Sequence, residues 1–175
     1  MIKFIWIVGN VGAGKTTLCN ALKPLLQPKW TFFNIDEERF AKNTEKSLLI
    51  EEELRRDFVN RMKSIKKFSL LESVGTYGVI ALDRFDIERE VLIIKLKANS
   101  EVLMSRLQER LDNPSLQVPF PYIKNDEASY QKSIQSFNEK MKIVKENESI
   151  NVNEKNQEEV LKEVVCILKK YKVIK

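Results

Sequence analysis

The stretch Ile7–Thr17, IVGNVGAGKTT, holds three of the chain's five glycines within six positions. Glycine weakens regular structure because it surrenders the most conformational freedom on folding. A chain this poor in it should place it where backbone turns tightly or approaches something closely. The flanks narrow the reading. Before the cluster runs FIWIV, near-continuous and rich in β-branched residues, as a strand buried on both faces is. After it, Leu18, Ala21, Leu22 and Leu25 recur at helical spacing, with Pro24 expected to end or kink that helix. The other two glycines, Gly75 and Gly78 in ESVGTYG, follow another apolar run and mark a second such place.

The same rhythm continues along the chain. Apolar runs predict strands over Phe4–Val8, Thr31–Ile35, Phe68–Leu71, Val91–Leu96 and Ser149–Val152. Helical stripes lie between and after them: Leu103, Leu107 and Leu111, then Val160, Leu161, Val164, Val165, Leu168 and Tyr171. Alternating strands and helices imply an α/β fold in three layers, a five-stranded parallel sheet with helices on both faces. A length of 175 residues suits one domain spanning 1–175. Two insertions break the pattern. One runs over about 36–66 and is dominated by the charged helix EKSLLIEEELRRDFVNRMKSIK; the other, over about 112–126, carries three of the five prolines.

Composition removes several kinds of chemistry. There is no histidine, so no imidazole base, histidine metal ligand or serine–histidine pair. A general base must be a carboxylate or a lysine, and a metal must be a hard cation held by oxygen. Cys19 and Cys166 are too far apart in sequence for a ligand-spaced pair, and a reducing, cytoplasmic setting is the expectation. No apolar run is long enough for a membrane span, and MIKFIWIVGN reads as a buried strand rather than a signal peptide. The net charge of +5 suits a phosphate-bearing ligand without itself arguing for nucleic acid.

GNVGAGKT fits G-x-x-x-x-G-K-[ST], with Gly9, Gly14, Lys15 and Thr16 at the fixed positions. In such a loop the backbone N–H groups curl around phosphate oxygens, and the following helix N-terminus adds partial positive charge. Lys15 reaches the β and γ phosphates, and the Thr16 hydroxyl can ligate Mg²⁺. The expected nucleotide cradle is Gly9, Asn10, Val11, Gly12, Ala13, Gly14, Lys15, Thr16 and Thr17, with Lys15 on a solvent-facing loop. The alternative is a chance match on a glycine-bearing turn. P-loop proteins usually end a neighbouring strand in a carboxylate that holds Mg²⁺ through water. Glu72 in FSLLES is best placed for that, with Asp36 after TFFNI as the competitor; either could instead be a strand-end charge facing solvent.

With these elements in place, the sequence resembles the P-loop small-molecule and nucleotide kinases, the adenylate-kinase-like group that includes shikimate, gluconate and nucleoside monophosphate kinases. The resemblance implies a P-loop NTPase fold with an acceptor-binding helical insertion at about 36–66 and a lid at about 112–126. It implies ATP and Mg²⁺, and transfer of the γ-phosphoryl to a small-molecule acceptor. Asp36 falls where such kinases place an acid near the acceptor hydroxyl, unless it merely caps the next helix. Arg106 and Arg110, in MSRLQERLDNP, resemble arginines at the border of a lid that close on the transferring group; a solvated helix face is the plainer reading. INVNEKNQEEV resembles the final strand and loop near the base, which places Asn153 to Asn156 there. Arg55 and Arg56 could bind an anionic acceptor or simply pair with Glu51 to Glu53, the reading the charge run favours.

The sequence departs from the group in lacking adenylate kinase's arginine-rich acceptor motifs and shikimate kinase's run of three glycines, so it names no acceptor. No base-reading motif separates ATP from GTP. Rival readings are a polynucleotide 5′-kinase, against which the interleaved lysines and glutamates speak, an NTPase switch, and a nucleotide-binding regulatory module. No membrane association and a monomer or homodimer complete the expectation.

Overall fold

The computed structural model describes residues 1–26, 28–64, 68–74, 91–117, 121, 124, 126–142 and 146–175. Its strands are β1 (Phe4–Gly9), β2 (Trp30–Asn34), β3 (Phe68–Ser73), β4 (Val91–Lys97) and β5 (Glu148–Asn151). Each expected strand is present with its ends moved by one or two residues. All neighbours pair in parallel, in the order β2-β3-β1-β4-β5. The helices are α1 (Lys15–Leu26), α2 (Ile35–Lys42), α3 (Leu48–Ser64), α4 (Ser100–Asp112), α5 (Glu127–Lys140) and α6 (Gln157–Lys170).

The strand order follows from burial on both faces. Along β1, Ile5 and Ile7 point to one side, and Phe4, Trp6 and Val8 to the other, as the two-residue period of a strand requires. The first side meets Leu18 and Leu22 of α1, Leu103 and Leu107 of α4, and Val160, Val164 and Leu168 of α6. The second meets Leu54, Phe58 and Met62 of α3 and Phe137 of α5. With every β1 side chain buried, an apolar run without alternation is the only pattern that fits.

Three local expectations change. Helix α1 passes through Pro24 and ends at Leu26, so the proline sits in the last turn and does not terminate the helix. Ile35 leaves β2 to open α2, because the Asn34 side chain accepts the Asp36 N–H and caps that helix. The cap is therefore Asn34, not Asp36. The insertion at 36–66 contains α2 as well as the charged α3. The second glycine cluster, Gly75 and Gly78, lies outside the described residues, as does part of the expected lid, where Pro114–Leu116 forms a short 3-10 turn.

Register positions the edge that matters. Asn34 of β2 lies beside Glu72 of β3, and Ile7 of β1 lies on Glu72's other side. The C-terminal ends of β1, β2 and β3 thus converge where the chain crosses from β1 over β3 to β2. Ligands of open α/β sheets bind at such a switch point. Among the described residues no helix is long and apolar enough to cross a membrane, and Cys19 and Cys166 are free thiols.

Helix α3 is charged on its outer face and is held to the sheet chiefly by Phe58, fully buried and edge-on to Phe33 with ring centroids 5.8 Å apart. Phe58→Ala should cost about 3–5 kcal/mol, read as a lowered urea midpoint with an unchanged slope.

Candidate functional site

The loop between β1 and α1 needs its glycines for separate reasons. Gly12 and Gly14 adopt φ of +81° and +86°, a region side chains disfavour. A Cβ on Gly9 would lie 3.1 Å from the Leu96 carbonyl oxygen and 3.2 Å from the Ala13 Cβ, so Gly9 is glycine for close packing. A Cβ on Gly14 would meet nothing within 4 Å, so that side of the loop is open. The loop is closed from within: the Ala13 N–H donates to the Asn10 carbonyl at 3.1 Å. Asn10 is buried; its Oδ1 accepts the Val11 N–H at 2.8 Å, and its Nδ2 donates to the Ile134 carbonyl of α5 at 3.4 Å.

Lys15 departs from the expectation of a solvent-facing loop. It is the first residue of α1, only 9% exposed, and its Nζ donates to the Asn10 carbonyl at 2.9 Å. Burial lowers its pKa, opposed by the negative charges of Glu72 and Asp36 and assisted by Arg110. These influences place Glu72, Asp36 and Arg110 around the lysine.

Glu72, 5% exposed, is the penultimate residue of β3 and lies near enough to that lysine for each to influence the other's titration. Its Oε1 accepts the Thr16 hydroxyl, and its Oε2 accepts Asn34 Nδ2 at 3.1 Å. Burial raises its pKa; Lys15 and the Thr16 bond oppose the rise, while Asp36 and Glu37 add to it. The solvent-facing alternative for Glu72 is overturned. Asp36 stands in the first turn of α2 with its side chain 39% exposed, and Arg39 Nη1 donates to its Oδ1. Arg39 also grips Glu51 of α3, from Nε at 2.9 Å and from Nη2 at 2.6 Å, and Arg55 Nε reaches the same carboxylate at 2.6 Å. Glu51 is fully buried. Arg55 therefore pairs within the insertion, the plainer of the two readings.

The two lid-border arginines separate. Arg106 donates to the Gly12 carbonyl at 3.3 Å and to the Val152 carbonyl at 3.1 Å, holding the phosphate loop to the end of β5. Arg110 lies close enough to Lys15 and Tyr130 to influence their titration. Its guanidinium makes no hydrogen bond or ion pair among the described residues, which leaves Arg110 as the arginine available to an anion. Asn153 follows β5 beside Val152, but its Oδ1 accepts the Asn99 N–H at 2.8 Å, so only its amide group remains for a base. Asn156, in the same loop, is occupied in a capping box with Glu159.

Left-handed glycines, an open loop face, a helix N-terminus and Lys15 fit a polyphosphate. Among the described residues no three His, Cys, Asp or Glu groups cluster to hold a metal. Thr16 and Glu72 offer oxygen alone, the set that suits a Mg²⁺ held mainly by phosphates and water. Sequence reasoning missed Asn34, Arg39 and Glu51. Asn34 carried a usable signal, an N-cap residue type just before an acid-rich first helical turn. The Arg39–Glu51 pair, twelve residues apart across two helices, carried none.

No protein-family model matches the chain. It is 28% identical over 170 residues to proteins named nucleoside-triphosphatase THEP1 from Thermotoga sp. strain RQ2 and from Thermotoga maritima, covering 94% of this chain and 95% of each relative. Among solved structures it is similar to shikimate kinase from Acinetobacter baumannii in complex with shikimate, with a TM-score of 0.62, 19% identity, and 98% and 96% of the two chains covered. A gluconokinase from Sinorhizobium meliloti gives a TM-score of 0.62 at 13% identity, over 95% and 91% of the chains. The fold is that of P-loop kinases. At these identities the likeness speaks for architecture alone.

Burial opposes the charge on Glu51, but the hydrogen bonds and charges of Arg39 and Arg55 outweigh it and hold its pKa below the ordinary 4.5. A depressed carboxylate pKa stabilises the fold above the ordinary value, and that contribution disappears as pH falls through the lowered one. Glu51→Gln should cost about 3 kcal/mol at neutral pH by leaving Arg39 underpaired. It should also flatten the loss of stability below about pH 4.5. Urea unfolding of both proteins across that range checks the two effects.

Proposed function

We propose that this chain is a phosphotransferase that moves the γ-phosphoryl of Mg·ATP to a hydroxyl of a small acceptor. The observation that supports the reading is Asp36. It is a partly exposed carboxylate at the C-terminal edge of the sheet, close enough to the cradle lysine to affect its titration, and it is fixed by an arginine anchored in a helical insertion. Such an acid can accept the acceptor's proton or orient its hydroxyl.

The roles follow from position. The loop amides other than those of Val11 and Ala13, which donate to Asn10, would hold the phosphates together with the Lys15 ammonium. Thr16 and Glu72 would hold Mg²⁺, which supplies neutralisation of charge on the β and γ oxygens. Asp36 addresses the acceptor, and Arg110 counters charge that spreads over the transferring group. Arg106, bonded to the Gly12 and Val152 carbonyls, braces the loop from α4. Phosphoryl transfer asks mostly for positioning and charge stabilisation, which a chain without histidine can supply. The segments at 36–66 and 112–126 are the acceptor-binding insertion and the lid in this reading.

A second reading, hydrolysis of nucleoside triphosphates without an acceptor, is favoured by the names of the two Thermotoga relatives at 28% identity. The two part on one measurement: ADP release from Mg·ATP with nucleosides, nucleoside monophosphates, shikimate, gluconate, a 5′-hydroxyl oligonucleotide, or nothing added. Strong stimulation by one acceptor is the expected outcome, and equal slow turnover throughout would move the assignment to the hydrolase. Asp36→Asn should lower the acceptor-stimulated rate by about 10²–10⁴-fold with nucleotide affinity retained. Lys15→Ala should abolish turnover in a folded protein, and full activity in that variant would overturn both readings.

A further inference from the structure

Asn34 uses its side chain at both ends. Its Oδ1 accepts the Asp36 N–H at 2.8 Å, and its Nδ2 donates to Glu72 Oε2 at 3.1 Å. The pairing of β2 with β3 sets Asn34 directly beside Glu72, so the contact is built into the sheet. Only one orientation of the amide serves both partners, because a backbone N–H needs an acceptor and a carboxylate needs a donor. Capping α2 does not by itself call for asparagine. Serine caps as well, and aspartate would cap while facing Glu72 with like charge. The carboxylate in front of it adds the demand for a donor, and the amide carries acceptor and donor on two separate atoms.

The other oxygen of Glu72 accepts the Thr16 hydroxyl, so both oxygens are held and the carboxylate plane is fixed. Beyond Asn34 the chain of contacts continues through Asp36, Arg39 and the buried Glu51. We propose that Asn34 is a positioning residue that locks Glu72 to the start of α2, so that the carboxylate facing the nucleotide's Mg²⁺ and the one facing the acceptor keep one spacing. This rests on the reading of Thr16 and Glu72 as the Mg²⁺ side of a nucleotide site. Asn34 itself contacts neither ligand; it acts through Glu72.

The test is Asn34→Gly, which an N-cap tolerates and which has no side-chain donor for Glu72; Asn34→Ala serves if the glycine variant folds poorly. Binding of a fluorescent ATP analogue is titrated with Mg²⁺ and with EDTA, beside a thermal melt. Expected are a modest fall in melting temperature, unchanged affinity in EDTA, and a Mg²⁺-dependent gain in affinity reduced about tenfold from that of the unmodified chain. An undiminished gain overturns the proposal. So does a fall in melting temperature with equal losses in both titrations, which would reduce Asn34 to a helix cap. If the unmodified chain binds the analogue but gains nothing from Mg²⁺, the proposal falls and nucleotide binding stands. If it binds no analogue at all, the reading beneath falls with it.

Discussion

Glu72 is a carboxylate buried at the C-terminal edge of the sheet, where burial works against its charge and Lys15 and Thr16 work for it. Removing an ion from water costs several kcal/mol even after relaxation, so a carboxylate 5% exposed needs partners. It has the Thr16 hydroxyl on one oxygen, the Asn34 amide on the other, and the positive charge of Lys15 nearby. Lys15 is itself buried and spends a proton on the Asn10 carbonyl. Each ion makes the burial of the other tolerable. The loop, the helix it opens and the ends of two strands are therefore held together by charge as well as by packing.

That interdependence explains why some of the molecule was legible in sequence and some was not. The loop glycines, Lys15 and Thr16 were readable because their spacing is local and each residue type answers to one geometric demand. The strands were readable because burial on both faces leaves an unbroken apolar run, as in FIWIV and VLIIKL. Glu72 was readable as the polar residue that ends such a run. The exposure of Lys15 was misjudged because a lysine in a glycine loop looks solvated until α1 and β3 are packed around it. Asn34 was passed over since asparagine before an acidic stretch suggests only a cap; its second bond depends on which strand becomes its neighbour. Arg39, Glu51 and the division of labour between Arg106 and Arg110 depend on how helices cross, which no periodicity records.

The burial of the Arg39–Glu51 pair inside the insertion is the least expected part of the design. Glu51 lies fully buried between Arg39 and Arg55, and apolar residues of similar volume could hold α2 against α3 with less desolvation. What an apolar contact could not do is direct a guanidinium at Asp36. The buried end of the network fixes Arg39, and Arg39 fixes a carboxylate whose side chain remains 39% exposed.

This bears on the choice between transfer and hydrolysis. The phosphate loop, Lys15, Thr16 and Glu72 could serve either reaction, so a relative named for hydrolysis and kinases of the same fold are compatible with one cradle. The reactions differ in what attacks the γ-phosphorus. Water is small and abundant, and one orienting group is enough to aim it. A substrate hydroxyl arrives on a molecule that must be bound, turned and shielded from water, and that work needs surface beyond the cradle. Helices α2 and α3 lie beside Asp36, are braced by a buried ion network, and are the surface the proposed transfer would draw on. In the proposed transfer the acceptor would be held by the insertion that Arg39 and Glu51 anchor, whereas the loop between β1 and α1 would hold phosphates in either reaction.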